Sequence, residues 1–99
     1  MENIDLLGRV VYSKAGRDKD KYYLVVGILN ENYIYISDGR LRGIDKPKKK
    51  KLKHLIITEK TSEQIRNLIL NGENLSNSKI YNFLESDENA NKEVWLPYV

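Results

Sequence analysis

A chain of 99 residues suffices for one domain with a modest core, and a hydrophobic content of 40% excludes global disorder. There is no cysteine, which excludes disulfides, thiol catalysis and cysteine-ligated zinc. The net charge of +3 conceals a split: residues 1–54 hold thirteen Lys/Arg against seven Asp/Glu, and residues 55–99 hold four against seven. Such asymmetry points to a basic module that meets a polyanion, with a mildly acidic remainder.

In chain order, Leu6-Leu7 and Val10-Val11-Tyr12 predict a first strand, with Gly8 at a bend or close approach. Ser13 to Lys21 is too charged for a core and reads as a hairpin loop, helped by Gly16, Asp18 and Asp20. Tyr22 to Leu29 is apolar on both faces and predicts a central strand. Asn30-Glu31-Asn32 is a turn, and Tyr33 to Ile36 a third strand. After the turn dipeptide Asp38-Gly39, alternation in Arg40 to Ile44 predicts a short fourth strand. Four consecutive lysines repel one another, so Lys46 to His54 is expected as an extended loop stiffened by Pro47. Leu55-Ile56-Ile57 is the closing strand. Five short, bent strands predict a small SH3-like barrel, so the fold class is mainly β with appended α.

The apolar period then changes. Thr61-Ser62-Glu63-Gln64 has capping-box spacing with Thr61 as N-cap, and Ile65, Leu68 and Ile69 fall on one helical face ahead of Gly72 as a stop. A second helix is expected from Ser76, with Leu75 and Ile80 as a hydrophobic staple and Phe83 and Leu84 continuing the stripe. Ser86 to Asn91 reads as a polar linker. The tail Glu93 to Val99 is apolar and aromatic, and Trp95–Val99 is expected to dock on its own domain or on a protein partner. The division is therefore a barrel over 1–58 and a helical extension with docked tail over 59–99, together one compact domain. Val25, Ile34, Ile36, Ile56, Leu68 and Phe83 are expected in the core.

Candidate site residues are cationic. Lys14, Arg17, Lys19 and Lys21 lie on the first loop, and Arg40 and Arg42 on the short fourth strand. Lys46, Lys48, Lys49, Lys50, Lys51 and Lys53 run into His54. Each group alone is explained by solvation. Gathered on one rim, they form the electrostatic footprint of a nucleic-acid binder. The tyrosines among them fill or cover the core, and one or two are in a position to stack on bases. His54 has no second histidine or cysteine at ligand spacing, so no metal is expected. No phosphate-binding loop or nucleophile motif is present, so neither a cofactor nor catalysis is expected. There is no long apolar run, and Met1-Glu2-Asn3-Ile4-Asp5 lacks signal-peptide character; a cytoplasmic protein without a membrane partner is the expectation.

A strand, a Gly16-Arg17-Asp18-Lys19 turn and a strongly apolar strand resemble a KOW motif. With Tyr33 to Arg40 and Lys46 to Leu55, the stretch from Gly8 to Thr58 is similar to small bacterial KOW-domain RNA-binding proteins related to the large-subunit ribosomal protein fourteen-e family. The resemblance implies an RNA partner, ribosomal RNA or the ribosome, and a place in translation. One departure stands out: many KOW loops have glycine where this chain has Asp20. The alternative is a protein-interaction module that uses the barrel, the helices and the aromatic tail.

Overall fold

The computed structural model of the protein describes residues 3–17 and 19–90. Asp18 and the expected docking tail Trp95–Val99 lie outside the described residues. Five strands, β1 (Arg9–Ser13), β2 (Lys21–Ile28), β3 (Tyr33–Ser37), β4 (Lys48–Lys51) and β5 (Leu55–Thr61), precede two helices, α1 (Glu63–Leu70) and α2 (Asn77–Ala90). The strands form one antiparallel sheet in the order β4-β3-β2-β1-β5, so the strand that is apolar on both faces, β2, is central.

The sheet is curled but not closed: β4 and β5 remain its edges. The curl follows from chain length. Only Leu52–His54, a single 3-10 turn, links the two edge strands. A flat sheet would hold those edges about 19 Å apart, while the chain from Lys51 to Leu55 spans about 14 Å at most. Inside the curl lie Val11, Tyr23, Val25, Ile34, Ile36 and Leu55, with Leu6 and Leu7 closing one end. On the outer face, Val10, Leu24 and Val26 pack against Ile65, Ile80 and Leu84 of the helices. Successive residues of β2 thus serve two cores, as period-2 alternation requires.

Several local expectations hold. Gly8 has φ 78°, its N–H donates to the Val25 carbonyl, and a Cβ there would sit 2.6 Å from the Ser62 carbonyl oxygen. Gly72 ends α1 at φ 69°, with Gly72 N–H donating to Ile69 and Glu73 N–H to Leu68, a Schellman arrangement. Ser76 caps α2 by accepting from Lys79 N–H, and Leu75 packs with Ile80 in one cluster.

Others are corrected. Leu6 and Leu7 lie in and after a 3-10 turn (Asn3–Leu6), not in a strand. The N-cap of α1 is Ser62, whose hydroxyl accepts from Ile65 N–H, because β5 continues through Thr61. The stretch from Ser86 is no linker, since α2 runs through Ala90. Arg40 to Ile44 forms no strand, whereas Lys48–Lys51, expected in a loop, does. Val25, Ile34 and Ile36 are fully buried, while Ile56, Leu68 and Phe83 are half-buried cover.

Candidate functional site

The hairpin loop between β1 and β2 is tied at its base by Asp20 N–H to the Ser13 carbonyl, 2.7 Å, and across its tip by Lys19 N–H to the Gly16 carbonyl, 3.3 Å. Two left-handed residues make this path possible, Gly16 at φ 80° and Asp20 at φ 70°. Asp20 therefore adopts the conformation that glycine would favour at this position. Its carboxylate Oδ1 accepts from the Tyr12 hydroxyl at 2.9 Å, and the Tyr12 ring lies 4.9 Å from that of its cross-strand partner Tyr22. That hydrogen bond, then burial, then the Asp20 charge raise the Tyr12 phenol above its ordinary value of 10.0. Lys14, Arg17, Lys19 and Lys21 all stand exposed around this loop.

The second segment is built by short polar side chains. Asp38 Oδ1 accepts from the N–H groups of Arg40 (2.8 Å) and Arg42 (2.9 Å). Ser37 Oγ donates to the Arg42 carbonyl at 2.6 Å and accepts from Gly39 N–H at 3.1 Å. These bonds wrap residues 37–42 into a turn, which is why the alternating pattern of Arg40 to Ile44 never becomes a strand. The turn docks on α2. Asn77 Oδ1 accepts from Ile44 N–H at 2.7 Å, and the Arg40 guanidinium lies 4.3 Å from the centre of the Tyr81 ring. Arg40 is exposed yet anchored, Arg42 is half-buried, and Lys46 is exposed.

The lysine run pairs with β3 through Tyr33↔Lys51, Ile34↔Lys50, Tyr35↔Lys49 and Ile36↔Lys48. Alternation divides it. Lys49 and Lys51 face outward with their ammonium groups 5.3 and 5.6 Å from the Tyr33 ring centre. Lys48 and Lys50 share the inner face with Ile36 and Ile34. Lys50 is only 8% exposed, and its Nζ donates to the Ala15 carbonyl at 3.0 Å. The expectation that all four lysines are solvated is corrected for Lys50, which closes the open side of the curl. Lys53 and His54 are exposed on the 3-10 turn, where the His54 carbonyl accepts from Lys14 N–H at 3.2 Å.

The loop of Lys14 to Asp20 is thus the common neighbour of the other basic segments. It meets β4 at Lys50, the 3-10 turn at His54, and the Arg40 turn across a cleft of about 220 Å³ lined by Lys21, Tyr22, Arg40 and Tyr81. Lys49 and Lys51 belong to the outer face instead. Sequence reasoning overlooked Tyr81, because only tertiary packing carries a helix residue to an arginine forty-one positions earlier. Among the described residues no group of His, Cys, Asp and Glu could hold a metal ion, and no helix is long and apolar enough to cross a membrane. No protein-family model matches this chain, and no curated protein matches it either.

Proposed function

We propose that the chain is a non-catalytic RNA-binding protein that contacts structured ribosomal RNA through a basic rim, in ribosome function or assembly, on a curled sheet that amounts to an SH3-like barrel of the KOW type. The observation that carries this reading is the contact of one exposed basic loop, Lys14 to Asp20, with the Lys50 strand, the His54 turn and the Arg40 cleft. Lys14, Arg17, Lys19, Lys21, Arg40, Lys53 and His54 are exposed around that junction. Lysines there track phosphate without selecting a base, which suits an A-form helix read by shape and backbone. The three-residue link between the edge strands supports the barrel, since it forces those edges toward each other.

The test is affinity for a ribosomal RNA fragment across a salt series. If about four phosphates are neutralised, log K falls against log salt with a slope near −3. Replacing Lys14, Arg17 and Lys19 together by Gln weakens binding to many RNAs alike and flattens the slope, with circular dichroism unchanged. An unaltered slope and affinity in that variant would remove the loop from the interface, and a wild-type protein without RNA affinity would overturn the reading in favour of a protein-interaction module.

A further inference from the structure

The cleft between the β1–β2 loop, the Arg40 turn and α2 has chemistry that a phosphate rim does not need. Its volume of about 220 Å³ suits one nucleobase with part of its sugar and is too small for a duplex. Tyr22 and Leu84 give it apolar surface, and Arg40 is held in its wall over the Tyr81 ring. A guanidinium so held offers a planar surface fixed in advance, on which an aromatic base stacks at little further ordering cost. Three carboxylates also line the cleft, Asp20, Asp38 and Glu85. Pure phosphate recognition would disfavour them. Ionised carboxylates only accept hydrogen bonds, so the edge they face must donate. Asp20 and Asp38 commit Oδ1 to the Tyr12 hydroxyl and to the turn amides. Glu85 stands on α2 outside both of those loop networks.

We propose that this cleft takes an unpaired guanine nucleotide of an RNA strand, with the base stacked on the Arg40–Tyr81 pair, Glu85 accepting from the base edge and Lys21 meeting the attached phosphate. The assignment rests on the RNA-binding reading above. Guanine follows from its Watson–Crick edge, where the N1 and N2 hydrogens lie side by side and match one carboxylate in a bidentate way. Adenine and cytosine each set an acceptor nitrogen next to their single amino group, and uracil flanks its one N–H with carbonyls. Both patterns turn lone pairs toward a carboxylate.

Fluorescence anisotropy with the labelled pentanucleotides UUGUU, UUAUU and UUUUU tests this. The wild-type protein binds UUGUU about tenfold more tightly than the other two, the order of discrimination that one bidentate contact supplies. Glu85→Gln brings that ratio to about one through loss of the guanine advantage, with circular dichroism unchanged. Arg40→Gln weakens all three strands, since it removes the stacking plane. Binding of ribosomal RNA without a guanine preference would overturn this inference and leave the RNA-binding reading standing. A guanine preference that survives both substitutions would place the base elsewhere and overturn it as well. Absence of binding to every RNA would overturn both.

Discussion

Asp20 shows how one residue sets the price of a loop. At φ 70° a Cβ costs energy that glycine avoids, and Asp limits that cost by bonding locally, here through the Tyr12 hydroxyl at 2.9 Å. Asp20→Gly relieves the strain and loses an exposed hydrogen bond, so the two effects offset and stability stays within about 1 kcal/mol of wild type. Asp20→Val keeps the strain without the bond and is destabilised by about 1–3 kcal/mol. Urea melts of the two variants check this, and a valine variant as stable as wild type would contradict the strained loop. The same bond sets an alkaline response. The folded state holds the Tyr12 proton above 10.0, chiefly through Asp20, so it favours the neutral phenol. The associated stability is fully present below the ordinary tyrosine range and fades as pH rises through the raised folded value. In a phenolate absorbance titration, Tyr12→Phe removes a late-ionising tyrosine, and Asp20→Asn shifts that tyrosine back toward the ordinary range. A wild-type curve without a late component would show that the bond does not hold in solution.

At the scale of elements, β4 shows what the chain does and does not declare. Four lysines in a row read as a solvated loop, because charge repulsion is visible in a sequence and a distant acceptor is not. On an edge strand, alternation sends Lys49 and Lys51 outward over Tyr33, while Lys50 crosses the curl to a carbonyl of another loop. Edge lysines also discourage pairing with a second sheet. The continuous apolar run of β2, the alternation of β3 and the stripe Ile65, Leu68, Ile69 were legible because burial imposes them; a turn at Asp38-Gly39 was legible too, but its extension through Arg42 was not, since it depends on which amides Asp38 captures. Likewise the lysine loop was legible as a candidate site, while the cleft with Tyr81 was not. Lys50→Ala therefore costs about 1–3 kcal/mol, and Lys49→Gln, on the exposed face, about 1 kcal/mol or less. Equal costs in thermal melts would deny Lys50 its bridging part. Gly39, at φ 75°, is where the Arg40 turn touches α2. A Cβ there would collide with the Asn77 carbonyl and come within 2.8 Å of Tyr81 N. Gly39→Ala should lose more than about 2 kcal/mol and separate Arg40 from Tyr81, which one- and two-dimensional NMR of the Tyr81 ring reads directly.

The whole molecule is two cores on one sheet, and that arrangement decides how it unfolds. The inner cluster holds Tyr23 and Val25 of β2, and the outer cluster holds Leu24 and Val26 of the same strand. Ile69 of α1 packs against both. Neither core can open without exposing the back of the other, because β2 has no residue to spare for an independent layer. The helices are short, eight and fourteen residues, and would be marginal without the outer face they cover. Ile36, inside the curl, and Ile80, under α2, are both fully buried. Ile36→Ala and Ile80→Ala should each cost about 2–5 kcal/mol. The stronger expectation concerns cooperativity. In each variant, strand and helix signals by circular dichroism and the burial of β2 amides by hydrogen exchange should be lost in one transition, with the denaturant slope unchanged. If Ile80→Ala instead melts in two steps, with the helices leaving first and β2 amides still protected, the sheet stands alone. The Arg40–Tyr81 wall of the cleft would then be a docked and separable part rather than part of the fold's common core.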